Sequence, residues 1–148
     1  MKRFLLAACA AILFFAAAAV DLGLRSRAAL RQAQLHALWS ATPGLKTAHY
    51  DGLLKEQLAL LEKETAAGRL DRARAERQAA VLKAESDFHL AESSAKLSWI
   101  WYRTAAEKFS SPFNPWAAQA RARLPAATEA WRAELAAKKI KAGDWMLE

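Results

Sequence analysis

Apolar residues run almost without interruption over positions 4–20, and beyond them the pattern changes to polar positions punctuated by apolar ones every three or four residues. The first pattern suits a membrane-directed segment and the second an amphipathic α-helix. Met1, Lys2 and Arg3 give the segment a cationic start, and Ala17, Ala18 and Ala19 supply a small-residue boundary before Val20 and Asp21, as in a secretory signal peptide. A run of about 17 apolar residues is also the lower limit for crossing a bilayer, so a cleaved signal (residues 1–19) and a retained anchor are both expected readings. Arg25, Arg27 and Arg31 follow closely, and under the positive-inside tendency they leave the orientation of a retained anchor open.

The periodic remainder predicts three or four helices. Leu24, Ala28, Leu35, Leu38 and Trp39 suggest a short amphipathic helix within a segment 20–44 that ends at Thr42, Pro43 and Gly44. In the body, residues 45–148, Tyr50, Leu54, Leu58, Leu61 and Thr65 form one face of a second helix, with Leu53 and Leu60 beside it and Gly68 as its left-handed end. No helix breaker occurs between Gly68 and Pro112, which predicts one long central helix over 69–109, about 60 Å in length. Its stripe of Val81, Ala84, Phe88, Ala91, Ala95, Ser98, Tyr102, Ala105 and Phe109 is heptad-like, as in a coiled coil, and small enough to admit a close antiparallel neighbour. That neighbour is expected after the turn at 110–114, with Asn114 as N-cap and Pro115 in the first helical position. It would run over 116–142 and stop at Gly143, with a kink or break near Leu124 where Pro125 removes a donor and crowds the carbonyl of Arg121. The expected fold is all-α, with an antiparallel C-terminal hairpin.

Composition narrows the picture. Of the 148 residues 54% are hydrophobic, many of them Ala, and only five Gly and four Pro occur, which favours helix over a turn-rich β fold. The net charge of +7 can signal nucleic acid, anionic lipid or an acidic partner. Basic and acidic residues alternate, as in Glu62, Lys63, Glu64 and in Asp71, Arg72, Arg74, Glu76, Arg77, so the charge reads as solvated helix surface and nucleic acid is not an expected partner. The single cysteine, Cys9, lies in the apolar leader, leaving the body with neither a disulfide nor a thiol nucleophile.

Candidate chemistry is sparse. Glu85, His89 and Glu92 share a helix face at a spacing that could hold a metal, but the other histidines, His36 and His49, lack the matching Glu-x-x-His partner, and a solvated face is the expected reading. Neither a G-x-S-x-G nucleophile turn nor a Gly-rich phosphate loop is present, so the chain is expected not to be an enzyme and no cofactor or small-molecule substrate is assigned. Six Trp occur, five of them (Trp99, Trp101, Trp116, Trp131, Trp145) in the last third. Large rings filling gaps beside Ala are the first reading. Trp99 and Trp101, however, point about 200° apart on a helix. With Leu97, Ile100 and Tyr102 they make it apolar all round, so it is either sandwiched between helices or faces a partner, and Trp99 and Trp101 become the expected interaction residues.

Two resemblances are local. Leu6, Ala7, Ala8 and Cys9 resemble the box of bacterial lipoprotein signals, which would make Cys9 the lipid site; the apolar core before it would then be only about five residues, short of the usual 7 to 15. The stretch over 99–124, centred on KFSSPFNPWAAQARARL, is similar to the boundary between helices in periplasmic tetratricopeptide-like repeats. No second copy at a period near 34 follows, so the resemblance implies a helical hairpin and carries over no functional residue. The sequence thus points to a non-enzymatic interaction or scaffold protein of the cell envelope, periplasmic or otherwise outside the cytoplasm, either exported or anchored in the inner membrane through its N-terminal segment. Its expected partner is another envelope protein or itself. A holdase-type periplasmic chaperone and a helical metal or small-ligand binder are the alternatives.

Overall fold

The computed structural model describes residues 2–111, 113–140 and 143. Helix α1 spans Lys2–Ala41, α2 Pro43–Ala66, α3 Arg72–Ala91, α4 Ser94–Arg103 and α5 Pro115–Ala137, with α4 running into a π-helical turn at Thr104–Lys108. Among the described residues there is no strand, so the protein is all-α. The chain divides into two compact units, one of residues 1–37 and 94–148 and one of residues 38–93.

The first unit is a bundle built on α1, α4 and α5. Its core joins Ala29, Leu30 and Ala33 of α1, Ala95, Trp99 and Tyr102 of α4, Ala105 and Ala106 of the π turn, and Ala120, Ala127, Trp131 and Leu135 of α5. The face that α1 buries is therefore a stripe of small residues: Gly23, Ser26, Ala29 and Ala33 are buried, whereas Leu24, Ala28, Leu35 and Leu38 of the expected stripe are exposed. Small residues win because the opposing side chains are large. A Cβ on Gly23 would stand 3.3 Å from the Trp116 ring, so glycine lets that ring lie against the backbone. α4 and α5 form the expected antiparallel hairpin, with Trp99 packed at a tilt against Trp131 and Arg121 donating to the carbonyl of Ala106. Asn114 caps α5 as expected, its side chain accepting from the amides of Trp116 and Ala117, and Pro115 takes the first turn.

Two expectations for α5 are corrected. Of the kink or break expected near Leu124, the break does not occur: the helix runs on through Pro125, which lies on the exposed side, where solvent can satisfy the carbonyl of Arg121. It also ends before Gly143: Lys139, at φ 57°, takes the left-handed position and the amides of Lys139 and Ile140 close on the carbonyls of Ala136 and Leu135.

The second unit is the hairpin of α2 and α3. Tyr50, Leu54, Leu58, Leu61 and Thr65 are half-buried while Leu53 and Leu60 are exposed, which is the face the spacing implies. Gly68 sits at φ 70° after α2, with Gly68 and Arg69 amides donating to the carbonyls of Thr65 and Glu64, a Schellman closure that a Cβ would strain. Asp71 then caps α3 by accepting from Ala73 and Arg74.

The continuous helix expected over 69–109 does not form. It begins late, at Arg72, and is divided at Glu92 and Ser93, where Glu92 adopts an extended conformation. Lys46 of α2 supplies the reason: its ammonium donates to the carbonyls of Glu92 (2.6 Å) and Leu90 (3.3 Å). A continuing helix would need those two carbonyls for the amides of Lys96 and Ser94. Serines 93 and 94 add little resistance, since their hydroxyls favour helix ends over helix interiors. The break shifts the phase of the heptad-like stripe. Ala95, Ser98, Tyr102 and Ala105 are buried in the first unit, whereas Val81, Ala84, Phe88 and Ala91 are exposed on α3.

Candidate functional site

In the first unit the structure separates the two expected interaction residues. Trp99 is only 8% exposed, its ring centroid 4.7 Å from that of Trp131 and capped on another side by the Arg103 guanidinium at 5.4 Å. Trp101, two residues on, is half-buried at the margin of the same core, as the opposed directions of the two rings require. Of the pair, Trp101 is the one whose ring stays partly accessible. Ile100 and Leu97 are half-buried alongside, and Arg103 pairs with Glu107 at 3.0 Å on the neighbouring surface.

Polar groups buried beneath these rings have structural tasks. Ser26 Oγ donates to the Ala105 carbonyl at 3.1 Å, tying α1 to the π turn across 79 residues of sequence. The wider turn, closed by the Phe109 amide on the Thr104 carbonyl, frees backbone acceptors that a regular helix would have used. Ser98 Oγ, by contrast, is buried without a hydrogen-bond partner among the described residues. Tyr102 is 6% exposed, and burial raises its hydroxyl above the ordinary value of 10.0, with Arg123 pulling weakly the other way.

The expected metal face lies in the second unit. His89 has Glu92 Oε2 at 3.3 Å from Nδ1 and Glu85 Oε1 at 3.9 Å from Nε2. The carboxylates address opposite ring nitrogens and do not converge on one point, and among the described residues no three such groups are placed to share an ion. The sequence reading missed what else gathers here. Tyr50 stacks on His89 at 5.1 Å and 12°, and Trp39 and His49 join Tyr50 at 5.7 and 5.1 Å. Burial first, then the charge of Glu92, pushes the Tyr50 hydroxyl upward. The four-ring group and the Lys46 clamp close the base of the hairpin, beside a cavity of about 120 Å³ lined by Tyr50, Leu54, Leu82, Glu85, Ser86 and His89. A lysine whose acceptor carbonyls lie 44 and 46 residues along the chain has no sequence signature.

The third feature is α1 itself. Phe4, Leu6, Ile12, Leu13, Phe14, Phe15 and Val20 are all exposed, and Cys9–Ala41 is long and apolar enough to cross a membrane, a property shared by anchors and signal sequences. Cys9, within this run, is exposed. Comparison with protein families, with characterised proteins and with solved structures finds no match to this chain.

Proposed function

We propose that the chain is a non-enzymatic interaction or scaffold component of the cell envelope, held to the membrane by the first part of α1. The observation that carries this reading is continuity: the exposed apolar run and the buried stripe of Gly23, Ser26, Ala29 and Ala33 belong to one unbroken helix. A bilayer would remove from water Phe4, Leu6, Ile12, Leu13, Phe14, Phe15 and Val20, which the protein itself leaves uncovered. The remainder of the molecule, outside the cytoplasm, would present Trp101 to an envelope partner or to a second copy.

Two measurements test it. The full chain produced in a bacterium should remain in the membrane pellet through alkaline carbonate extraction, with an intact mass that includes residues 1–19. A mass lacking them identifies a cleaved signal, and a body protected from protease in spheroplasts places it on the cytoplasmic side, against this reading. For the partner surface, Trp101→Ala should lower co-purification of the partner or self-association while leaving the thermal midpoint within about 1 kcal/mol of stability, as expected of a half-exposed ring at a binding hot spot.

A further inference from the structure

Where α1 leaves its apolar run, the loop between the π turn and α5 lies against it. A groove of about 390 Å³ opens there, lined chiefly by Ala19, Val20, Gly23 and Leu24 of α1 and by Phe113 and Trp116. Its size is that of a pocket for an apolar ligand. Phe113 is 95% exposed, the largest exposure among the described large hydrophobic residues, and it lines this groove together with Ala19 and Val20, the last residues of the apolar run.

We propose that Phe113 and this groove form a second membrane contact, in which the ring enters the acyl boundary of the leaflet that α1 enters and a phospholipid chain lies along the groove. The inference rests on the anchored reading of α1. Residues 4–20 rise about 25 Å along the helix axis, close to the ~30 Å thickness of a hydrocarbon core, so the next turn falls at headgroup level. That turn holds the Asp21–Arg25 ion pair at 2.8 Å and, against Gly23, the Trp116 ring with the Arg27 guanidinium 5.7 Å from its centre. Indole and guanidinium groups are the residues that occupy membrane–water boundaries, with apolar bodies inward and polar atoms at the headgroups. The level of Phe113 follows from its place beside Ala19 and Val20 in the groove wall. In water its exposure is an uncompensated cost; in the boundary region it adds a burial equivalent to roughly a tenfold or greater gain in partitioning. With this contact the anchor has two points on the same leaflet, which fixes the tilt of the first unit as a single helix would not.

The test uses the full-length chain carrying Cys9→Ser, reconstituted in vesicles of phosphatidylcholine and phosphatidylglycerol, with one nitroxide label per variant. Labels are placed by Phe113→Cys, by Ile12→Cys within the apolar run and by Ala133→Cys on the exposed side of α5, towards the opposite end of the hairpin. Collision with oxygen relative to a water-soluble nickel chelate reads depth. The expected result is a lipid-exposed ratio at Ile12→Cys, an aqueous ratio at Ala133→Cys and, at Phe113→Cys, a ratio severalfold above that of Ala133→Cys. An aqueous Phe113→Cys label beside a deep Ile12→Cys label overturns the contact and leaves the anchor standing. An Ile12→Cys label that is aqueous, or lost by cleavage, defeats the anchored reading and this inference with it. Equal depth at Phe113→Cys and Ala133→Cys overturns it too, since the whole unit would then lie in the interface.

Discussion

Single side chains carry unequal weight in this molecule, and burial with partnership decides which. Trp131 closes the core against Trp99, and Trp131→Ala should cost about 3–5 kcal/mol in a denaturant titration, the range for a truncated core aromatic. Ser98 presents the opposite case. Its buried hydroxyl has no partner among the described residues, so Ser98→Ala removes a desolvation cost and should raise stability by about 1 kcal/mol, seen as a higher thermal midpoint. Tyr102 and Tyr50 set an alkaline limit. Burial raises both hydroxyls above 10.0, so the folded state favours their neutral form; the associated stability is fully present below pH 10 and is lost as pH climbs through the raised values. Thermal midpoints measured from pH 8 upward should therefore fall beyond pH 10, and Tyr102→Phe should make that fall shallower.

At the scale of elements, the Lys46 ammonium occupies the carbonyls at the division between α3 and α4. Lys46→Met leaves the carbonyls of Leu90 and Glu92 without that donor, and the hairpin should lose about 1–3 kcal/mol. Amide exchange should accelerate across α2 and α3 and change little in α4 and α5, because the clamp lies wholly in residues 38–93. The sequence showed where helices could form and two of their closures, since Gly68 and Asn114 act through local chemistry that a reader can see. It could not show the break at Glu92, which depends on a lysine distant in the chain. The face of α1 was misread for a related reason: large apolar residues attract attention, but Leu24 and Leu35 are exposed and the helix packs through Gly23, Ala29 and Ala33. Pattern alone gives the existence of a stripe, while the size of the opposing rings decides which stripe is used.

At the scale of the whole molecule, the candidate site was half legible. Two tryptophans two positions apart had to diverge, and they do, but only the assembled bundle shows that Trp99 belongs to the core and Trp101 to its margin. The Tyr50–His89 stack joins two helices and left no trace in the spacing of either. The hydrogen bond from Ser26 to the Ala105 carbonyl also bears on the order in which the protein takes shape. A ribosome adding about 5–20 residues per second needs several seconds to cover the 79 positions between those groups. Residues 38–93, which make up the whole second unit, are synthesised within that interval. The small-residue stripe of α1 stays uncovered until α4, the π turn and α5 emerge, and a nascent chain stalled near residue 93 should display that stripe to membrane-associated chaperones or to other copies of itself.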